Sequence, residues 1–303
     1  MLDVVIIGAG PAGLSAAIYA MRAKLDTLVL EGQGIGGQVL STYEVDNYPA
    51  LPGISGMDLG RQMREHAEKL GAKILPENVL EIQDFTTYKK VITQQNEYET
   101  KTVVITAGAH HSLLGVPGEK ELTGMGVSYC ATCDGAFYKN AEVAVVGGGD
   151  VAVEDAIFLA RGCSKVYLIH RRDELRSAKI LQEALFALPN VEIIWNSEVS
   201  TIRGEEEVEG VLLHNKVTGE DKELSVEGVF IAIGIEPTTG AFQSLLETDE
   251  KGYICAGEDC KTSVPGIFAA GDVRTKRLRQ IITAAADGAN AITSVQDYLL
   301  ENL

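Results

Sequence analysis

The chain has few basic residues, few cysteines and no long apolar run. Its 26 Lys and Arg residues face 43 Asp and Glu residues, so the net charge is −17. An acidic surface of this kind repels nucleic-acid phosphates and anionic lipid, so we expect neither as a partner. No apolar run approaches the roughly 20 residues of a membrane span. The first three residues carry no basic leader. We therefore expect a cytoplasmic protein without a membrane segment.

Only two of the five cysteines stand close together, in the stretch Cys130-Ala131-Thr132-Cys133-Asp134. In a reducing compartment this spacing is more typical of a catalytic thiol/disulfide pair than of a structural crosslink. The adjacent carboxyl of Asp134 gives the pair a proton donor or acceptor. Half of a zinc site is the alternative, but zinc needs a second pair of ligands. The histidines offer only His110-His111 as a close pair, so we expect no metal. Catalysis is thus assigned to Cys130, Cys133 and Asp134.

A glycine-rich turn follows the first apolar strand, which is predicted over Val4–Ile7. Strand, tight turn and helix together are the context of a dinucleotide-binding fingerprint, in which the helix N-terminus holds the phosphates. A second predicted strand, Thr27–Leu30, ends at Glu31, where a carboxylate can accept hydrogen bonds from a ribose. The residues of this first turn predicted to bind a dinucleotide are Gly8, Gly10, Pro11, Ala12 and Gly13.

The pattern is repeated after the cysteine pair, where an apolar strand over Val143–Val146 leads into three glycines. The strand that follows ends in His170-Arg171-Arg172 instead of an acid, and Arg176 is predicted to lie one helical turn further on. Arginines at this point suit a cofactor with a 2′-phosphate. A solvated helix start, paired with Asp173 and Glu174, is the alternative. The predicted nucleotide-binding residues here are Gly147, Gly149, Asp150, Val151, Ala152, His170, Arg171, Arg172 and Arg176.

Two further segments carry candidate cofactor residues. The long loop from Gly32 to Gly56 is of a length that is usually functional, and Gly36, Gly37, Gln38 and Asn47 could line a bound cofactor. Near the C-terminus, a strand over Ile267–Ala270 ends at Gly271-Asp272, whose carboxylate could bind a polyol hydroxyl or could only cap a helix. A final helix opens at Arg279-Gln280-Ile281 and could direct its N-terminus at a flavin.

Each glycine turn belongs to a module that closes on an apolar strand ending in glycine, over 103–108 and 229–234. The simplest interpretation is an α/β protein with two Rossmann-like dinucleotide-binding domains, the second inserted within the first. Trp195 and the three scattered cysteines, Cys163, Cys255 and Cys260, are interpreted as packing residues.

With these elements in order, the chain resembles the bacterial low-molecular-weight thioredoxin reductases over essentially its full length. The resemblance rests on the two glycine turns, the Gly36-Gly37-Gln38 loop, the CATCDG stretch at 130–135, the His170-Arg171-Arg172-Asp173 segment with Arg176, and Gly271-Asp272 with Arg279-Gln280. It implies FAD bound by residues 1–113 and 245–303, NADPH bound by residues 114–244, thioredoxin as partner, and a homodimer. Ser112 and Val151 depart from the family pattern, at places near the NADPH domain.

The resemblance implies that NADPH reduces FAD, that FAD reduces the Cys130–Cys133 disulfide, and that the dithiol reduces thioredoxin. Asp134 is the expected acid, and rotation of one domain against the other is the family's way to bring each group to the flavin. Three alternatives remain at this point. The chain could be a related reductase with ferredoxin as donor or another small protein or disulfide as acceptor, a dithiol oxidase, or a redox-sensing module that holds FAD without turnover.

Overall fold

The computed structural model describes residues 1–42 and 44–302. The chain divides into two compact units, of which the first comprises Met1–His110 and Glu236–Leu303 and the second His111–Ile235. The second unit is therefore an insertion in the sequence of the first. Within the described residues, none of the helices combines the length and the apolar character needed to cross a membrane.

The described residues form strands and helices in the order β1 (Leu2–Ile7), α1 (Pro11–Arg22), β2 (Thr27–Leu30), α2 (Gly56–Lys69), β3 (Lys73–Leu75), β4 (Val79–Phe85), β5 (Tyr88–Thr93), β6 (Glu97–Ile105), β7 (Ala109–His111), β8 (Val127–Ser128), α3 (Ala131–Asp134), β9 (Glu142–Gly147), α4 (Asp150–Leu159), β10 (Lys165–Ile169), α5 (Lys179–Phe186), β11 (Val191–Ile194), β12 (Ser197–Arg203), β13 (Gly210–Asn215), β14 (Asp221–Ser225), β15 (Gly228–Ala232), β16 (Ile235–Pro237), β17 (Ile267–Ala269) and α6 (Ile281–Glu301). Single 3₁₀ turns lie at Gly37–Ser41, Gly135–Tyr138 and Gly271–Val273.

The first unit is built on a seven-stranded sheet in the order β3-β2-β1-β6-β5-β4, with β17 also paired to β6. The strands around β1 are parallel, and Ile7 lies opposite both Leu30 and Ile105. Their apolar runs are buried because both faces of the sheet are covered. On one face α1 and α6 pack closely, since a side chain at Gly288 would overlap the carbonyl oxygen of Ala12.

The second unit has a five-stranded sheet in the order β11-β10-β9-β15-β8, in which every paired strand is parallel. A separate antiparallel sheet is formed by β12, β13 and β14, and its first hairpin spans the acidic run 205–207. Helix α4 connects β9 to β10 and buries Ala152, Val153 and Ala156. In the first unit β4, β5 and β6 pair antiparallel and the other strands are parallel, and in the second unit the five-stranded sheet is parallel throughout. Parallel strands with crossover helices in both units confirm the predicted α/β class with two Rossmann-like units.

Two features differ from the sequence-based expectations. The chain returns to the first unit at Glu236, before the predicted boundary at 245, and Phe242, which lies between these two positions, is buried in the core of that unit. Of the residues interpreted as packing, Cys163 and Cys260 are buried, whereas Cys255 is only partly so. The ring of Trp195 is partly buried against the core of the second unit.

Candidate redox site and nucleotide-binding turns

Cys130 and Cys133 are joined by a disulfide, and their Cα atoms are 5.3 Å apart. Cys130 precedes the single turn of α3, and its carbonyl oxygen accepts hydrogen bonds from the amides of Cys133 (3.2 Å) and Asp134 (3.1 Å). One helical turn thus brings the two sulfur atoms together, as the spacing predicted. Both cysteines are partly exposed. No group of three or more His, Cys, Asp or Glu within residues 1–42 and 44–302 is arranged to hold a metal.

Asp134 directly follows Cys133 at the end of this helical turn and is partly exposed. Burial raises the pKa of Asp134 above the ordinary aspartate value, although a hydrogen bond from Ser128 opposes the shift. Ser128 Oγ is 2.6 Å from Asp134 Oδ2 and also accepts a hydrogen bond from the amide of Cys130 at 3.0 Å. A carboxyl with a raised pKa can hold a proton and deliver it to a sulfur atom. Sequence reasoning missed Ser128, whose only signal was its place two residues before Cys130.

The first glycine turn connects β1 to α1 and is closed on the side of the sheet. Gly8 has φ +105°, and a side chain there would overlap the carbonyl oxygen of Thr106, while one at Gly13 would overlap that of Gly8. At Gly10, by contrast, the nearest atom to an added Cβ is Gly37 Cα at 3.8 Å. Gly10 has no side chain to cap α1, and Pro11 occupies the first turn. The helix N-terminus therefore presents backbone amides to an anion.

Glu31 is held beside this turn, as predicted from the end of β2. Its Oε2 accepts a hydrogen bond from the amide of Ala9 at 2.6 Å, and its Oε1 accepts from those of Gln33 (2.7 Å) and Gly34 (3.0 Å). Oε2, which accepts only one of these hydrogen bonds, retains a further lone pair for a ribose hydroxyl. The loop packs against the turn, because the Gly36 amide donates to Ala9 O at 2.8 Å. Gln38 is exposed in the 3₁₀ turn that follows.

Asp272 lies in the 3₁₀ turn after β17, and its Oδ1 is buried with no hydrogen-bond partner among the described residues. Burial raises the pKa of this carboxyl. The predicted alternative, a helix N-cap, is wrong because Gln280 caps α6 and Asp272 lies inside the preceding turn. A buried acceptor without a donor is the signature of a missing partner. A hydroxyl of a bound cofactor would satisfy it.

The other residues predicted around Asp272 have structural partners. Asn47 Nδ2 donates to Gln280 Oε1 at 2.9 Å, which brings the long loop to the start of α6. The guanidinium of Arg279 stacks on the ring of Tyr253, 3.9 Å from its centroid, and donates to the carbonyl oxygens of Asp272, Arg274 and Lys276. Ile281 is the first residue of α6.

Sequence reasoning missed a buried charge cluster that supports this segment. Asp287 Oδ2 accepts from the Gly271 amide (2.9 Å), Arg274 Nε (2.8 Å) and Lys276 Nζ (2.9 Å), and Oδ1 accepts from Arg274 Nη2 (2.7 Å). These contacts hold the pKa of Asp287 below its ordinary value despite burial. The cluster fixes the backbone next to Asp272 to α6. Asp287 lies 11 to 16 residues from its partners in the sequence, beyond the spacing of a helical or strand repeat, so no local pattern indicated the cluster.

The second glycine turn connects β9 to α4 and, like the first, has no room for a side chain at its first glycine but has room at a later one. A side chain at Gly147 would approach Ala152 Cβ to 2.6 Å, whereas at Gly149 it would meet nothing within 4 Å. Two hydrogen bonds tie the segment 176–178 to the turn, from the Arg176 amide to Gly148 O and from the Ala178 amide to Asp150 Oδ1, both at 2.8 Å. Val151 is 55% exposed at the start of α4.

The residues after β10 are only partly as predicted. Residues 171–178 are not helical, because the Arg176 amide is bonded to the glycine turn and α5 begins only at Lys179. The expectation of one helical turn from Arg172 to Arg176 is therefore wrong. All three arginines are exposed, and their guanidinium groups form no ion pair with Asp173 or Glu174 in the part of the chain that the structure describes. The alternative of a self-paired helix start therefore finds no support.

His170 differs from its arginine neighbours in being buried. Its side chain is 4% exposed and fills the space beside Gly148, with Nε2 3.1 Å from the carbonyl oxygen of Glu174. Burial lowers the pKa of this imidazole, so the ring stays neutral at neutral pH. In this structure the imidazole ring packs against the glycine turn at Gly148 and lies edge-on to the ring of Trp195.

Comparison with known proteins identifies the family. The sequence profile of the pyridine nucleotide-disulphide oxidoreductases matches residues 2–288. The thioredoxin reductase of Bacillus subtilis is 49% identical over 300 residues, which are 99% of this chain and 95% of that protein. That of Listeria monocytogenes is 48% identical over 99% of this chain and 94% of its own length. The chain belongs to the thioredoxin reductases.

Solved thioredoxin reductases have the same architecture. The crystal structure of the Streptococcus pyogenes protein matches with a TM-score of 0.96 and 47% identity, covering 99% of both chains. The structure of the Giardia duodenalis protein matches with a TM-score of 0.93 and 36% identity, again covering 99% of both. The resemblance inferred from the motifs, and the reductase class it implies, are thus confirmed.

Thioredoxin reductases of this family use FAD and NADPH. The residues in the first unit are suited to FAD, because an open glycine turn offers amides to a pyrophosphate and the Asp272 oxygen, unpartnered among the described residues, offers an acceptor to a polyol. The residues in the second unit are suited to NADPH, because a second open turn is accompanied by three exposed arginines for a phosphate.

Proposed function

We propose that this chain reduces the disulfide of a thioredoxin with electrons from NADPH, through FAD and the Cys130–Cys133 disulfide. The observation that carries the proposal is the disulfide itself, held in one partly exposed helical turn that ends in Asp134, whose pKa is raised by desolvation, in a chain with two open glycine turns. When bound, FAD would supply an acceptor for the hydride of NADPH and a donor of two electrons to the disulfide. Everything else in the cycle falls to the residues of this chain.

The first unit is the proposed FAD domain. Gly8, Gly10 and Gly13 bring the backbone to the pyrophosphate, with Pro11 and Ala12 in the first turn of α1. Glu31 accepts hydrogen bonds from the ribose, and Asp272 Oδ1 accepts one from the polyol chain. The support for this assignment is the unpartnered state of that oxygen among the described residues and the fixed position of Glu31. The Asn47–Gln280 hydrogen bond and the Arg279–Tyr253 stack hold the surrounding loops in place.

The second unit is the proposed NADPH domain. The amides at the start of α4, around Gly149 and Asp150, bind the pyrophosphate, and Arg171, Arg172 and Arg176 bind the 2′-phosphate. The exposed arginines support this because they have no carboxylate partner among the described residues, and Arg176 is tied to the glycine turn through its amide. Arginine–phosphate contacts are charge-assisted and therefore discriminate NADPH from NADH. His170 acts here by supporting the turn.

The thiol chemistry follows from the disulfide and its neighbour. When two electrons enter the Cys130–Cys133 bond, the bond breaks and both sulfur atoms become thiolates, which two protons convert to thiols. Asp134 delivers one of these protons, since its raised pKa keeps it protonated at a higher pH than an exposed aspartate. In the second half-reaction one thiolate attacks the thioredoxin disulfide, a mixed disulfide forms, and the other cysteine displaces it. The products are the restored Cys130–Cys133 bond and a thioredoxin dithiol.

The direction of transfer sets a limit on the reduction potential of this disulfide. Thioredoxin has a potential of about −270 mV, and each 30 mV of mismatch corresponds to about 1.4 kcal/mol for two electrons. We expect the Cys130–Cys133 pair to lie close to or below that potential. A redox titration of the protein against glutathione or dithiothreitol buffers measures it. A value near that of a strong oxidant, roughly −120 mV, is incompatible with the reductase direction.

The activity is tested by separating the two half-reactions. Purified protein should be yellow, should bleach anaerobically with NADPH but not with NADH, and should then form thioredoxin thiols. Cys130→Ser should abolish thioredoxin reduction and leave flavin bleaching by NADPH largely intact. Bleaching by ferredoxin alone, oxygen uptake with small dithiols, or no bleaching by any donor would each contradict the proposal. In keeping with the family, we also propose that the protein acts as a homodimer in the cytoplasm.

A further inference from the structure

Ser128 forms a hydrogen-bond bridge between the redox loop and its carboxyl. The residue ends β8 and is 5% exposed. Its Oγ lies 2.6 Å from Asp134 Oδ2, 3.0 Å from the amide nitrogen of Cys130, which donates to it, and 3.4 Å from the carbonyl oxygen of Cys130. One hydroxyl therefore contacts both the carboxyl that exchanges a proton and the backbone of a cysteine that exchanges electrons.

The chemistry of a hydroxyl suits a neighbour that changes its protonation state. A serine hydroxyl has one donor and two acceptor positions. When Asp134 is ionised, the hydroxyl donates to Oδ2 at the observed 2.6 Å. When Asp134 is protonated, its own O–H can donate to Ser128 Oγ, and the serine proton can turn to the Cys130 carbonyl oxygen at 3.4 Å. The carboxyl thus has a hydrogen-bond partner in both states without moving.

We propose that Ser128 is a positioning residue, which holds Asp134 in one place beside the disulfide whether or not its carboxyl carries a proton. This inference rests on the proposed function. It explains how Asp134 stays in position through a catalytic cycle in which its protonation state changes twice. Asp134 gives a proton to a thiolate when the disulfide opens, and it takes one back when a thiol becomes the attacking thiolate. Ser128 itself neither gains nor loses a proton overall, so the balance of the reaction is unchanged.

A double-mutant cycle separates this role from a merely structural one. Holoenzyme is reduced with excess dithiol, and the dithiol is then removed. The reduced holoenzyme is mixed with oxidised thioredoxin, and the reaction is quenched with acid. The thioredoxin thiols are then counted by alkylation and mass measurement. We expect Asp134→Asn to slow this single turnover by about 100-fold, the low end for loss of a general acid–base group. Ser128→Ala should slow it about 10-fold, because a misplaced carboxyl still supplies part of the general acid–base contribution. In the Asp134→Asn background, Ser128→Ala should cost no more than about 2-fold, because residues that act as a unit are not additive.

Three controls complete the test. Ser128→Thr keeps a hydroxyl and should recover most of the rate, and flavin reduction by NADPH should be unchanged in every variant. Ser197→Ala removes another buried hydroxyl of the same unit, one that donates to the Trp195 carbonyl oxygen at 2.9 Å, and should leave the single turnover at the wild-type rate. If Ser128→Ala costs the same 10-fold with and without Asp134, or costs nothing in the wild type, the proposal is overturned.

The proposed function fails on a different observation. If the wild-type dithiol transfers no electrons to thioredoxin, the function is wrong. If the wild type transfers them and Cys130→Ser does not, the function stands, and the cycle alone decides the role of Ser128.

Discussion

Replacing Asp272 with asparagine should move cofactor affinity and apoprotein stability in opposite directions. Burial raises the pKa of Asp272, and Oδ1 has no partner among the described residues. The folded apoprotein therefore binds this proton more tightly than the unfolded chain does, and it loses stability as the pH rises through the raised pKa. Asp272→Asn removes the buried charge. At pH 8 the variant apoprotein should unfold at the same or a higher urea concentration than the wild type.

FAD binding should weaken in the same variant. A hydrogen bond to a charged acceptor contributes about 1.5–3 kcal/mol and one between neutral groups about 0.5–1.5 kcal/mol. The difference, about 1–1.5 kcal/mol, corresponds to about a 5- to 13-fold increase in the dissociation constant of FAD. Quenching of flavin fluorescence on titration into apoprotein measures this constant. Urea unfolding of the same preparations, without FAD, measures the stability.

Asp3 offers a matched control in the same unit. It lies near the N-terminal end of β1, whereas the glycine turn follows the C-terminal end of that strand. Desolvation acts to raise the pKa of Asp3, but hydrogen bonds from Lys101 and the Asp26 amide outweigh it, so the pKa is lowered. Asp3→Asn should therefore lower stability and leave FAD affinity unchanged. If Asp272→Asn binds FAD as tightly as the wild type, or if its apoprotein is less stable at pH 8, the assignment of this carboxylate to the cofactor is refuted.

Three further outcomes are expected. In Gly13→Ala the new methyl group overlaps the Gly8 carbonyl oxygen, so the purified protein should carry less flavin per mole, and full flavin content would contradict the packing argument. Arg171→Gln with Arg172→Gln should raise the KM for NADPH about 10-fold or more through lost charge-assisted contacts; an unchanged KM for NADPH would place the phosphate elsewhere. Burial raises the pKa of Asp155 to about 7, so the stability of the folded chain falls as the pH rises toward 7. In urea unfolding, Asp155→Asn should therefore be more stable than the wild type at pH 8 but not at pH 4. Equal unfolding curves at both pH values would show no such linkage.

Local patterns were sufficient to predict the parts of the fold that local physics determines. The runs Val4–Ile7 and Val143–Val146 are apolar at every position, which is typical of parallel strands covered on both faces of a sheet. Both runs are buried central strands in the structure. Gly8 and Gly147 could be placed in turns because each must adopt a positive φ, +105° and +157° respectively. The Cys130–Cys133 pair followed from its spacing in the same way.

Features that depend on distant partners could not be predicted. Residues 171–178 carry a charge pattern that suits a helix start. The Arg176 amide instead donates a hydrogen bond to the carbonyl oxygen of Gly148, in an earlier segment of the chain. Phe242 falls before the predicted boundary, yet it packs in a core built from strands that are distant in sequence, such as β1 and β6. Asp287 was missed because its cationic partners belong to another segment. In each case tertiary hydrogen bonding or burial outweighed local preference.

The electron capacity of the purified protein tests the central claim most directly. Anaerobic titration with dithionite should take up four electrons per chain before the flavin is fully bleached, two for FAD and two for the Cys130–Cys133 disulfide. A Cys130→Ser, Cys133→Ser double variant should take up two. If the wild-type chain also takes up only two, the disulfide does not exchange electrons with the flavin, and the proposed relay from NADPH to thioredoxin is wrong.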